Sequence, residues 1–323
     1  MNKRLDVVTF GETMVLFTGN QSLPLEYVHQ FNKQIGGAES NLSIGLKRLG
    51  HDVGWFSMLG EDPFGRYIHN FVRGEGVDTH ACLYTDQAPT AVFFKEKLSA
   101  KNLNIYYYRK HSAASLLGPD DIDEDYISNA RVLHLTGITP ALSETCKQAV
   151  FHAIKIAKKH GLKIVFDPNI RYKLWDSYEE AREVMLQMAE QSDVILPGLD
   201  EAEFLTGKTE PEEIAESLIG NTDKTIVIKL GSKGAYYQNK YKSAYVSGYQ
   251  VDEIMDPVGA GDGFAAGIIS GVLNDEDMES AVKRANAIGA MIVQVNGDIE
   301  GLPTKAQVDA YVSTDGIARD VER

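Results

Sequence analysis

The sequence predicts an α/β protein: a mainly parallel sheet flanked by helices on both faces, carrying a small β-sheet lid. Three observations lead there. From Val132 onward, short apolar runs alternate with helical stretches, the rhythm of a parallel sheet. Before Val132 the chain has more β character, and its extended runs at Met14–Phe31 and Thr90–Arg109 read as a lid over roughly residues 12–35 and 88–112 inside one domain spanning 1–323. Late in the chain, Asp256-Pro257-Val258-Gly259-Ala260-Gly261-Asp262-Gly263 opens a helix of small apolar residues. The chain is organised around that turn.

In order, Asp6–Phe10 reads as a buried first strand ending at Gly11-Glu12, and Met14–Thr18 and Leu25–Phe31 as two short β runs. Gly36-Gly37-Ala38-Glu39-Ser40-Asn41 then opens a helix, because Leu42, Leu46 and Leu49 fall at helical spacing and Gly50 stops it. Val53–Met58 reads as a strand; Asp62-Pro63 starts a helix with Asp as N-cap and Pro at the first position. Thr90–Lys97 and Leu103–Arg109 are β-rich, separated by the polar Ser99-Ala100-Lys101-Asn102. Strands at Val132–Leu135, Lys163–Phe166, Val194–Leu196 and Thr225–Lys229 alternate with helices at Ser143–His160, Glu179–Glu190, up to Thr206 and over 212–219. A hairpin across Tyr236–Val246, the helix after the Gly-rich turn and a helix over Met278–Val295 complete the chain, whose polar end from about Ser313 is expected to fray.

A net charge of −14, from 32 basic and 46 acidic residues, argues against nucleic acid or an anionic membrane as the main partner. It does not exclude an anionic substrate, since one helix terminus and a few arginines can dominate a pocket. Two cysteines, Cys82 and Cys146, form neither a disulfide framework nor a metal spacing. The start lacks the apolar run of a signal peptide and no stretch of membrane-spanning length follows, so a cytoplasmic protein is expected.

Three glycines in five residues, Gly259, Gly261 and Gly263, are not there for helix propensity, since each costs about 1 kcal/mol against Ala inside a helix. A helix start has amides without intrahelical acceptors and a partial positive charge, and glycines let a phosphate approach the backbone. Asp262 is the odd residue. It either caps the helix, as Asp commonly does, or acts as general base on a hydroxyl that attacks a phosphoryl group; the turn alone favours the cap. Ala202–Thr209 ends like a phosphate-binding P-loop, but Ala202 stands where a Gly is required. Phe264 occupies the third Gly position of a dinucleotide fingerprint, which disfavours a dehydrogenase.

The Gly-Ala-Gly-Asp turn, with Asp256 ahead of it and a small-residue helix after it, resembles the second signature of the ribokinase-like (PfkB) sugar kinases. Most members carry Thr where this chain has Pro257. Gly36–Gly50 resembles their first signature. The resemblance covers roughly residues 5–310 and implies a ribokinase-like fold, with Asp262 as catalytic base and the amides of Gly259, Ala260 and Gly261 as anion hole. It also implies sugar contacts from Gly36, Gly37, Ala38, Glu39, Ser40 and Asn41. ATP and Mg²⁺ are the implied cofactors, and a monovalent cation stays open.

Read with period two, Tyr107 and Arg109 share one strand face and offer a phenol beside a guanidinium. Asp167-Pro168-Asn169-Ile170-Arg171 follows a strand of the parallel sheet, where ligand loops lie. Tyr107-Tyr108-Arg109 and Asp-Pro-Asn-x-Arg-x-x-Leu-Trp together resemble the 2-keto-3-deoxygluconate kinases within the family. That implies Tyr107, Tyr108, Arg109, Arg171 and Asp298 around an acid sugar, with Phe93 where relatives can have Tyr. On the nucleotide side the resemblance implies Asn169, Arg171, Lys229, Gly231, Ser232, Lys233, Gly234 and Asn286. Glu201 matches an acidic residue that positions metal and phosphate, reached through water, while Gly198 replaces the Asn common in relatives. The alternatives are a kinase of a neutral sugar, of fructokinase or ribokinase type, and a sugar or nucleotide sensor without turnover. An exposed lid edge predicts a homo-oligomer.

Overall fold

The computed structural model describes residues 5–99 and 102–314. The expected frayed end lies mostly outside them, as do Ala100 and Lys101 of the polar separator. The first half contains β1 (Leu5–Phe10), β2 (Met14–Gly19), β3 (Phe31–Gly36), α1 (Ala38–Arg48), β4 (Val53–Phe56), β5 (Met58–Gly60), α2 (Pro63–Gly74), β6 (Leu83–Thr85), β7 (Val92–Ser99), β8 (Asn102–Tyr108) and α3 (Glu124–Ser128). Next come β9 (Ala130–Thr136), α4 (Glu144–His160), β10 (Lys163–Asp167), α5 (Tyr178–Gln191), β11 (Val194–Ile195), α6 (Leu199–Thr206), α7 (Pro211–Ile219) and β12 (Thr225–Lys229). The chain closes with β13 (Gly234–Gln238), β14 (Ser243–Ser247), α8 (Ala260–Leu273), α9 (Met278–Ile292) and α10 (Lys305–Ser313).

The main sheet runs β14-β13-β12-β11-β10-β9-β1-β4, parallel from β12 to β4 with the β13–β14 hairpin antiparallel at one edge. Its strands are apolar on both faces because both are covered. Leu133, Ile164, Phe166, Ile195, Ile226 and Ile228 pack with α4 to α7, whereas Val132, Val165, Val194 and Val227 pack with α1, α2, α8 and α9. The second sheet, β3-β2-β7-β8, is the lid.

Two local expectations differ from the structure. Leu25–Tyr27 forms a 3-10 turn after Pro24, tied by the Leu25 amide to Glu96, and the strand starts only at Phe31. Val53–Met58 is two strands, β4 in the main sheet and β5 paired with the short β6. The rejection of a P-loop at Ala202–Thr209 agrees with the structure, where Gly207 is the left-handed C-cap of α6.

Gly263, Gly267 and Gly271 form a stripe on α8, and a Cβ there would collide with Ile292, Ala285 and Ala281 of α9. Close packing against α9 therefore sets the direction in which the start of α8 points.

Candidate active site

Loops at the C-terminal ends of β1, β9, β10 and β12, the start of α1, the lid and the start of α8 enclose a cavity of about 440 Å³. This is the crevice position expected of an open parallel sheet.

Gly259 is the N-cap of α8, with φ +82° and no side-chain cap bond. A side chain there would meet the Asp298 carbonyl, so the left-handed turn and the close approach both require Gly. The first intrahelical bond runs from Gly263 N to Gly259 O at 3.0 Å, so the amides of Ala260, Gly261 and Asp262 precede it. The commoner reading of Asp262 as a cap is thereby corrected. Its carboxylate turns away from the helix and accepts from Asn41 Nδ2 at 2.8 Å, with Asn169 Nδ2 at 3.5 Å from the other oxygen. Burial pushes its pKa from the ordinary 3.8 up to about 7; Asn41 and Arg171 oppose that rise, and Asp167 and Asp298 add to it. A carboxyl titrating near neutrality beside a helix start is suited to accepting a proton from a hydroxyl.

Lys229, at the end of β12, bonds both oxygens of Asp167 at 2.8–2.9 Å. Burial disfavours its charge, but the carboxylates of Asp167, Glu201 and Asp262 outweigh burial and hold its pKa above the ordinary value. The Lys229 ammonium is the nearest atom to the open side of Gly261. Glu201 accepts from the amides of Gly198 at 2.7 Å and Ile170 at 2.7 Å, which locks two loops together.

On the side of the cavity formed by β7 and β8, Phe93 stacks on Tyr107 with ring centroids 5.6 Å apart. Arg109 is buried and engages Glu12 through Nε at 2.7 Å and Nη2 at 2.6 Å. Among the described residues Arg171 makes only a 3.5 Å contact to the Ile170 carbonyl and is the freer cation of the two. Gly36, Gly37, Ala38, Asn41 and Asp298 also line the cavity.

The structure does not bring every expected residue here. Tyr108 points to the outer face of the lid, 67% exposed. Glu39 is buried beneath the site, accepting from Thr136 and Thr139, and burial raises its pKa. Ser40 bonds Thr13 and the Gly37 carbonyl and braces the Gly-Gly turn. Gly231, Ser232, Lys233 and Gly234 form the turn after Lys229. They join Asn286 in a separate cluster: Asn286 bonds the carbonyls of Val246 and Ser247, and Gly248 N bonds Lys233 O at 3.2 Å. Ala260 contributes its backbone at the start of α8.

Sequence reasoning missed Glu12 and Lys95. Lys95 is 2% exposed and pairs with both Asp256 and Asp298. Period two from Phe93 along β7 was the signal available for it.

Among the described residues no helix is long and apolar enough to cross a membrane. Comparison with known proteins agrees with the geometry. The model of the pfkB family carbohydrate kinases matches residues 4–305. The 2-dehydro-3-deoxygluconokinase of Bacillus subtilis is 40% identical over 311 residues, 96% of each chain. An Arabidopsis thaliana protein assigned as chloroplastic fructokinase-6 is 35% identical, covering 94% of this chain and 81% of the relative. A solved structure of a proposed ribokinase II from E. coli, in complex with ATP and Mg²⁺, superposes with TM-score 0.89 at 27% identity, covering 96% of this chain and 99% of the other. With a matching family model over most of its length and a 40% identical relative covered almost end to end, this chain belongs to the pfkB family of carbohydrate kinases and is a sugar kinase.

Proposed function

We propose that the protein transfers the γ-phosphoryl group of ATP to the terminal hydroxyl of 2-keto-3-deoxygluconate (2-dehydro-3-deoxygluconate), giving the 6-phosphate. The observation that carries this reading is Asp262, held by Asn41 beside the start of α8 with a pKa of about 7, in a cavity that also contains Arg171. The identity to the Bacillus enzyme supports the choice of acid sugar.

Asp262 takes the hydroxyl proton as that oxygen attacks the phosphorus. The amides of Gly259, Ala260 and Gly261 and the Lys229 ammonium stabilise charge on the transferring group. Arg171, in a cavity that Arg109 also lines, holds the sugar carboxylate and so sets the far hydroxyl in line. The cluster of Gly231–Gly234 and Asn286 takes the nucleoside end of ATP. The donor set fits Mg²⁺ held mainly by phosphates and water. Asp167 and Glu201 already have partners, and no group of three His, Cys, Asp or Glu suited to a metal occurs among the described residues. Mg²⁺ would supply charge neutralisation on the phosphates.

A neutral-sugar kinase is the second reading, because Glu12 already pairs with Arg109 and a fructokinase relative is 35% identical. We further infer self-association through β8, an edge strand that exposes Tyr106 and Tyr108. ADP release from ATP and Mg²⁺, with 2-keto-3-deoxygluconate, fructose and ribose in parallel, tests the sugar assignment. Preference for the acid sugar supports it, and preference for fructose or ribose overturns it.

A further inference from the structure

Lys95 is a charged residue on the inner face of a lid strand. It shares that face with Phe93, which lines the sugar cavity, and with Lys97. The Lys95 ammonium crosses to the large sheet's loops and meets Asp256 Oδ2 at 2.8 Å and Asp298 Oδ1 at 2.5 Å. Lys97 adds bonds to the Met255 carbonyl at 3.0 Å and to Asn296 Oδ1 at 2.7 Å. Both lysines therefore grip the two loops that bracket the Gly-rich turn.

Each carboxylate that Lys95 holds has a second task. Asp256 Oδ1 accepts from Val258 N at 3.0 Å and so fixes the backbone entering the turn. The carbonyl of Asp298 lies against the Cα of Gly259, and its free Oδ2 faces Gly36 and Phe93 at the edge of the cavity. All three groups are buried, at 2%, 6% and 4% exposure for Lys95, Asp256 and Asp298. Two buried carboxylates this close repel unless a cation lies between them.

We propose that Lys95 is a positioning residue for phosphoryl transfer: its ammonium, delivered by the lid, holds Asp256 and Asp298 so that the turn at Val258–Gly261 keeps its anion-binding shape and Asp298 presents an oxygen to the sugar. This rests on reading that turn as the phosphoryl cradle. The lid then acts on the chemical step itself, beyond covering the sugar.

The test compares wild type with Lys95→Met and Lys95→Ala, using whichever sugar supports turnover. A misplacement at the cradle lowers kcat by about 10²-fold. KM for sugar and ATP stays within about threefold, the pattern of an interaction realised in the transition state. Methylammonium chloride restores Lys95→Ala saturably, by about tenfold or more, while tetramethylammonium chloride at equal ionic strength does not. A rise in KM with kcat intact contradicts the proposal, as does a kcat loss that methylammonium leaves untouched. If the single variants fail to fold, Lys95→Met with Asp256→Asn leaves less unpaired buried charge. Recovered folding with kcat still depressed supports the proposal, and recovered folding with wild-type kcat overturns it. A wrong sugar assignment shows in the wild type alone, and a wrong reading of the cradle shows as full activity in Gly259→Ala, so neither failure is mistaken for this one.

Discussion

Asn41, in the first turn of α1, donates its side-chain amide to Asp262, in the first turn of α8, at 2.8 Å across 221 positions of sequence. The bond joins the two Gly-rich turns and favours the ionised form of the Asp262 carboxyl. Asn41→Leu removes it, so the Asp262 pKa rises and the acid limb of kcat/KM moves to higher pH. At pH 7 the loss is on the order of tenfold. A pH profile checks this, and an unmoved limb counts against it.

The raised pKa of Asp262 also sets a direction for stability. Unfolded, the carboxyl ionises at its ordinary value near 3.8; folded, burial delays ionisation to about 7. Between those values the folded state binds more protons, so this group's contribution to stability falls as pH rises through the window. Asp262→Asn removes that loss. Relative to wild type, the variant should gain Tm between pH 4 and pH 8, as followed by thermal melts.

Gly259 combines φ +82° with contact to the Asp298 carbonyl. Gly259→Ala should cost on the order of 1–3 kcal/mol of stability, the range for strained backbone. It should also depress kcat more than either KM, because the cradle rather than the sugar contacts is distorted. Urea unfolding and steady-state kinetics measure the two effects.

Among the described residues Arg171 has only a long contact to the Ile170 carbonyl, whereas Arg109 is tied to Glu12. Arg171→Ala should therefore raise KM for 2-keto-3-deoxygluconate by about 10- to 100-fold, the worth of a charged hydrogen bond. KM for fructose should barely change. Because Arg171 also opposes the upward shift at Asp262, the acid limb should move up slightly in the same variant. Equal effects on both sugars would point to a structural role.

The parallel sheet was legible because its strands are short apolar runs between helices, whereas Asp262, Asn41 and Arg171 became candidates through motifs shared with a family, the turn alone favouring a cap at Asp262. What stayed hidden depended on long-range contacts. Glu12 reads as a turn residue until Arg109 folds against it. Lys95 shares the period-two face of Phe93 along β7, but nothing local announces that Asp256 and Asp298 will face it. Leu25–Tyr27 reads as part of a β run to Phe31, yet Pro24 and the Glu96 contact favour a turn. Glu39 and Ser40 fell within the right motif but support it from below, a distinction that depends on helix orientation rather than residue type.

The most direct test of the account is ADP release by Asp262→Asn at pH 8 with saturating 2-keto-3-deoxygluconate, ATP and Mg²⁺, beside calorimetric binding of both ligands. The account predicts a fall in kcat of about 10²–10⁴-fold, the usual worth of general acid–base catalysis, with both ligands still bound. Turnover within about tenfold of wild type, in a variant that binds both ligands, would contradict Asp262 as the base.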